Sequence, residues 1–181
     1  QLTGALQSFA VTPLKYFHAN SSAADSLAIG TESVAVGPQT VVNGNNGVGI
    51  GNGAVVQQSA PGGIAIGHGS TSHLADSIAL GTQSSAAAAQ GVAIGAGTNV
   101  TQAGGVALGA GSVASTGPGV AGYVPPTATG SQRTAIGATT STLAAVSVGD
   151  AANGKFRQIT GVAAGAADSD AVNVSQLKAV Q

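Results

Sequence analysis

Two large aliphatic residues flanking a small one recur along this chain. The copies read SLAIG (26–30), SVAVG (33–37), GVGIG (47–51), GIAIG (63–67), SIALG (77–81), GVAIG (91–95) and GVALG (105–109). Looser copies follow as RTAIG (133–137) and AVSVG (145–149). In Ile78-Ala79-Leu80 and Val92-Ala93-Ile94 the alternation has period two, which sends successive side chains to opposite faces of an extended strand. One face is aliphatic and the other carries Ala, Ser or Gly. Each motif closes on a glycine, where a tight turn escapes the hindrance of a Cβ. The closing glycines are separated by 7, 14, 16, 14, 14, 14, 28 and 12 residues. The period is therefore 14, with one half-step and one double step.

Each closing glycine is followed by a second piece, such as TQSSAAAAQ (82–90) or AGTNVTQAG (96–104). A second short strand fits there, so each 14-residue unit predicts two strands and two turns. Equivalent strands in successive coils run parallel, about 4.8 Å apart. Residues 26–149 then make nearly nine coils, a rod of roughly 40 Å. In this reading the two sheets bury their aliphatic faces against each other. The expected core is Leu27, Ile29, Val34, Val36, Val48, Ile50, Ile64, Ile66, Ile78, Leu80, Val92, Ile94, Val106 and Leu108. The Ala/Ser face is left free to pack on a second copy.

Composition agrees with thin stacked layers. Charged residues are 6% of the 181, where about 25% is usual. Aromatics are 3%, and Cys, Met and Trp are absent. Few large side chains remain to fill a wide core, but a solenoid needs only that each unit packs on its neighbours. A net charge of −1 gives no electrostatic reason to expect nucleic acid. No apolar run approaches the ~18 residues of a membrane-spanning helix. With no signal peptide at Gln1, the chain reads as a fragment or a processed region. Six of its eleven charged residues fall between Asp150 and Lys178, so the C-terminal part follows other rules.

Competing repeat architectures fit less well. A hexapeptide β-helix needs period 6, and a calcium-binding roll needs Asp at a fixed place in each unit. Low-complexity chains have no reason to keep a strand phase over several steps. The pattern breaks at STGPGVAGYVPPTATGSQ (115–132), where Pro118, Pro125 and Pro126 cannot donate to a ladder. This is an expected irregular insertion. Its Tyr123 either covers the side of the roll or stands out as a contact residue.

The strand motif with its Gly- and Ser-rich return resembles the head repeat of YadA-like trimeric autotransporter adhesins. RQITGVAAGAADSDAVNVSQL (157–177) is similar to the neck of such proteins, and YFHANSSAADS (16–26) to the segment that leads into their heads. The resemblance implies an all-β, left-handed parallel β-roll head, homotrimeric, with a C-terminal neck leading into a short coiled-coil helix. It divides the chain into a leading segment (1–24), head repeats with the insertion (25–144), a neck (145–173) and the start of a stalk (174–181). It marks Arg157, Ile159, Asp168, Asp170, Asn173 and Leu177 in the neck. It also implies exposure on a Gram-negative outer membrane, held only by a β-barrel anchor C-terminal to this region. The partner would be a host cell surface or an extracellular matrix protein.

The residues of the neck agree. Asp168, Ser169 and Asp170 precede AVNVSQLKAVQ and can cap a helix there. Val174 and Leu177 have the i, i+3 spacing of a coiled-coil seam. Arg157, Lys155, Asp168 and Asp170 either pair between subunits or are solvated loop charges.

The inventory offers little to catalysis. The histidines are His18, His68 and His73, with Asp76 three residues after the last. Two imidazoles without a placed carboxylate make a poor metal site, and no cofactor or metal is expected. GIGNG (49–53) is followed by neither Lys nor a helix pattern, so it is no phosphate loop. NSS (20–22), NVT (99–101) and NVS (173–175) match the N-glycosylation acceptor pattern but read as turn polarity. Two functions remain: attachment through the outer surface, or a spacer that projects another binding domain. Ligand-binding residues are not identified by the sequence.

Overall fold

A computed structural model describes residues 19–180. Most of the leading segment, with His18, lies outside the described residues. The described residues wind into fourteen very short strands. Long strands of up to three residues alternate with strands of two: β1 (Leu27–Ala28), β2 (Val34–Val36), β3 (Val41–Val42), β4 (Val48–Ile50), β5 (Val55–Val56), β6 (Ile64–Ile66), β7 (Thr71–Ser72), β8 (Ile78–Leu80), β9 (Ser85–Ala86), β10 (Val92–Ile94), β11 (Asn99–Val100), β12 (Val106–Leu108), β13 (Val113–Ala114) and β14 (Val146–Ser147). Odd strands β1 to β13 form one seven-stranded sheet, and even strands β2 to β14 the other. Every pairing between these strands is parallel, between residues one coil apart, as in Val92↔Val106 and Asn99↔Val113. Seven strands at about 4.8 Å spacing give a roll about 30 Å long, against the nearly nine coils expected.

The half-step of seven is explained by the first strand. Leu27–Ala28 pairs with Val41–Val42, so SLAIG lies in the short-strand sheet rather than the sheet of the other motifs. The 16-residue step comes from extra residues in the turn between β5 and β6, around Pro61.

Glycine sets the corners. Gly81 has φ +130°, and a Cβ there would stand 2.7 Å from the carbonyl carbon of Gly95 in the next coil. Gly95 meets Gly109 in the same way. Beside these glycines runs a column of hydroxyls. Ser70, Ser84 and Thr98 are buried and donate to the carbonyls of Gly67, Gly81 and Gly95 at 3.0, 2.9 and 2.8 Å. Among the described residues no buried side-chain polar atom lacks a partner, as a chain with this many interior hydroxyls requires.

The strands face the opposite way from that expected. The small central residues Ala65, Ala79, Ala93 and Ala107 are fully buried, and the aliphatics beside them point outward. Leu27, Ile29, Val34, Ile50, Leu80 and Leu108 are exposed, at 38–63%. Val36, Val48, Ile64, Ile66, Ile78, Val92, Ile94 and Val106 are half-buried. The reason is volume. Among the described residues the largest fully buried side chains are Val42, Val56 and Val100, and the facing strand of the same coil shrinks to receive them. A Cβ at Gly49 would stand 2.6 Å from Val42 Cγ2, and one at Gly91 2.8 Å from Val100 Cγ1. A coil of 14 residues has no room for two facing rows of Ile and Leu.

The insertion is longer than expected. After β13 the chain leaves the roll and returns only at β14, which pairs with Val106–Ala107. RTAIG lies not in a strand but in helix α1 (Gly130–Ala138), opened by a capping box between Thr129 and Gln132. No residue of this helix is buried, so it gains nothing from the roll's core. AVSVG keeps its strand, and that strand belongs to the roll's sheet rather than to the neck. A 3-10 turn (Ala151–Asn153) and a short helix α2 (Val174–Lys178) complete the described elements.

Candidate self-association face and neck

Because the aliphatics point outward, they form columns along the long-strand sheet. Val34, Val48, Ile64, Ile78, Val92, Val106 and Val146 stack in register, and beside them Val36, Ile50, Ile66, Leu80, Ile94 and Leu108. Neither column contains a charge. Val146, at the neck end, is 66% exposed. A chain seldom leaves so continuous an apolar face to water unless another surface covers it. The Ala/Ser face expected to do this instead lies inside each coil. The outer face of the short-strand sheet is mixed and more polar: Val41, Val55, Thr71, Ser85, Asn99 and Val113.

The segment after the roll adds further apolar groups. Phe156, Ile159, Val172, Val174 and Leu177 are all exposed. Its polar residues hold its own loops. Asn173, rather than the acidic cluster, caps α2: its side chain accepts from Gln176 N, and Gln176 reaches back to the amide of Asn173. The Asn-x-x-Gln spacing is the capping-box signal in the sequence, and the acids before it do not cap the helix. Gln176 also bridges the amide and carbonyl of Gly165. Asp170 accepts from the amides of Ala167 and Ala166 at 3.0 and 2.9 Å. Those two bonds, Ala167's first, hold its carboxyl below the ordinary value of 3.8. Asp168 is exposed. Lys155 Nζ stands 3.9 Å from Asp150 Oδ2, and Arg157 turns back onto the roll within its own chain.

The residues considered for chemistry do not converge. His73 Nε2 lies 3.2 Å from Ser85 Oγ on the outer face of the short-strand sheet. Asp76 sits at a corner in the left-handed region, φ +55°, and is not a hydrogen-bond partner of His73. His68 is exposed at another corner. Among the described residues no group of three His, Cys, Asp or Glu could hold a metal ion. Tyr123 is 80% exposed and so does not cover the side of the roll.

The fold and this surface can be set beside known proteins. The YadA head domain repeat matches residues 28–54, 59–84 and 75–98, and the coiled stalk of trimeric autotransporter adhesins matches 158–181. This chain belongs to the trimeric autotransporter adhesins. It is 41% identical over 98% of its length to the autotransporter adhesin EhaG of Escherichia coli O157:H7. It is 63% identical over 36% of its length to the trimeric autotransporter adhesin AtaA of Acinetobacter sp. strain Tol 5. A third relative is the autotransporter adhesin BadA of Bartonella henselae, 63% identical over 23% of the chain. The chain spans only 9%, 2% and 1% of these relatives' lengths. A solved structure, the C-terminal YadA-like domain of BPSL2063 from Burkholderia pseudomallei, is 26% identical, with a TM-score of 0.32 over 99% of this chain and 55% of that one.

Proposed function

We propose that this chain is a head-to-stalk segment of a bacterial surface adhesin, working as a homotrimer. The aliphatic face of the long-strand sheet carries the reading. Three copies turned inward would cover it along the whole roll, and the apolar neck residues would continue the seam towards α2. The short-strand sheet and the insertion would then face outward, on the side open to a host cell surface or matrix protein. Such a surface would bind through many repeated weak contacts, and three chains would raise avidity. The parent protein would be exported and held in the outer membrane by a β-barrel outside this segment. The test is to present the isolated trimer to immobilised matrix proteins and to cells. Saturable binding that outward substitutions such as Asn99→Glu weaken, without loss of the roll, supports attachment.

A spacer is the second reading, favoured by how little of its relatives the chain spans. In that case the segment would lift another domain away from the surface. A trimer that stays inert on cells bound by the parent protein would establish it.

A further inference from the structure

In every regular coil the long and short strands are joined by a corner such as Gly95-Ala96-Gly97-Thr98. The corners are stitched together down one column: Gly97 N donates to Thr82 O and Gly111 N to Ala96 O, both within 2.9 Å. The next acceptor in that column is Ala110 O. The last half-coil cannot supply its donor. Val146 and Ser147 pair with Val106 and Ala107, but Gly149 O already accepts from Val113 N at 2.7 Å. That is the role of Ser112 in the preceding coil, where it accepts from Asn99 N. The chain has cut the corner, and nothing follows Val148 in the places that Gly109, Ala110 and Gly111 hold one coil earlier.

The guanidinium of Arg157 lies in that gap. Nη2 donates to Ala110 O, and Nη1 donates to Val148 O and, at 2.8 Å, to Ser112 Oγ. Its Cζ stands 3.1 Å from the point a Cβ on Gly109 would occupy. In the coils before, that slot is filled by the next glycine peptide: a Cβ on Gly95 meets Gly109 C at 2.7 Å. A guanidinium is flat, as a peptide is, and offers several fixed N–H donors.

We propose that Arg157 ends the roll by standing in for the missing corner peptide, and that this latch fixes the neck to the head. The carbonyls it takes would otherwise form an open edge, which solenoids must cap. Lysine cannot replace it, because an ammonium neither lies flat in the slot nor reaches three acceptors in a fixed fork.

The test is hydrogen exchange on the full chain. In Arg157→Ala and Arg157→Lys, the amides of Gly111, Ser112 and Val113 are expected to exchange at least tenfold faster, with those of Ile78 and Val92 unchanged. Millimolar methylguanidinium, but not equal sodium chloride, is expected to slow them again in Arg157→Ala. If that variant does not fold, Arg157→Lys, which keeps the charge, makes the same comparison. Unchanged exchange at these amides, a Lys variant equal to the parent, or rescue by sodium chloride as well would overturn the latch.

Discussion

At Ala79 a coil has room for a methyl group and little more. The residue is fully buried between Ala65 and Ala93, within a narrow interior of Ala, Ser and occasional Val. Ala79→Leu is therefore expected to destabilise the roll by about 1–3 kcal/mol through overpacking, read as a lower denaturant midpoint. Gly95→Ala should be worse. It combines φ +125° with a Cβ 2.7 Å from the backbone of the next coil, and the atoms it meets are main chain rather than a side chain that could yield. A loss of about 3 kcal/mol or more is expected, and a variant with the parent's midpoint would contradict the stacked corner. The alternation at 78–80 shows that one face is aliphatic and one small, and these residues do form the strand. Which face is inside is not in the alternation. It follows from the width of the coil, which a reading that equates large apolar residues with the core passes over. The closing glycines from Gly37 to Gly109 mark the period and the corners, because their spacing is a property of the chain itself, whereas Gly137 lies in α1.

Among the elements, the short strands have little stability of their own. Each two-residue strand is held by its neighbours along the column, as Ser85–Ala86 is held between Thr71–Ser72 and Asn99–Val100. This is why RTAIG could carry the motif and still form a helix. Away from the column nothing favours a strand, and the capping box of Thr129 and Gln132 favours α1. In the neck, Asp170 gives an element-level prediction about pH. Its bonds to the amides of Ala167 and Ala166 favour the carboxylate, so its folded value lies below 3.8. Its contribution is complete above the unfolded value and is lost as pH falls through the lower folded one. Amide shifts of Ala166 and Ala167 should therefore stay constant near neutrality and move together only under strong acid, below the ordinary Asp range. A midpoint above 3.8 would mean that the two amides do not hold the carboxylate.

For the whole molecule, the exposed face decides what state can persist in solution. A roll that keeps Ala inside and Ile outside buries its larger apolar groups only against another surface, and in the proposed trimer that surface is its own copies, so assembly and stability are linked. The melting temperature should then rise with protein concentration, as mass action requires when the assembled form is the stable one. Wild-type chain is expected to sediment at about three times its 16.9 kDa. Exchanging Ile50, Leu80 and Leu108 for Ser removes three outward side chains that are 38–46% exposed and touches no buried residue. This triple variant should sediment as a single chain and lose the concentration dependence of melting. Ala79→Leu makes the useful contrast, since it injures the interior and leaves the outer columns intact. Its folded fraction should still sediment as the parent does, at a lower melting temperature. If instead the triple variant stays assembled, the outward columns are not the seam between chains, and the outer face of the short-strand sheet becomes the surface to test.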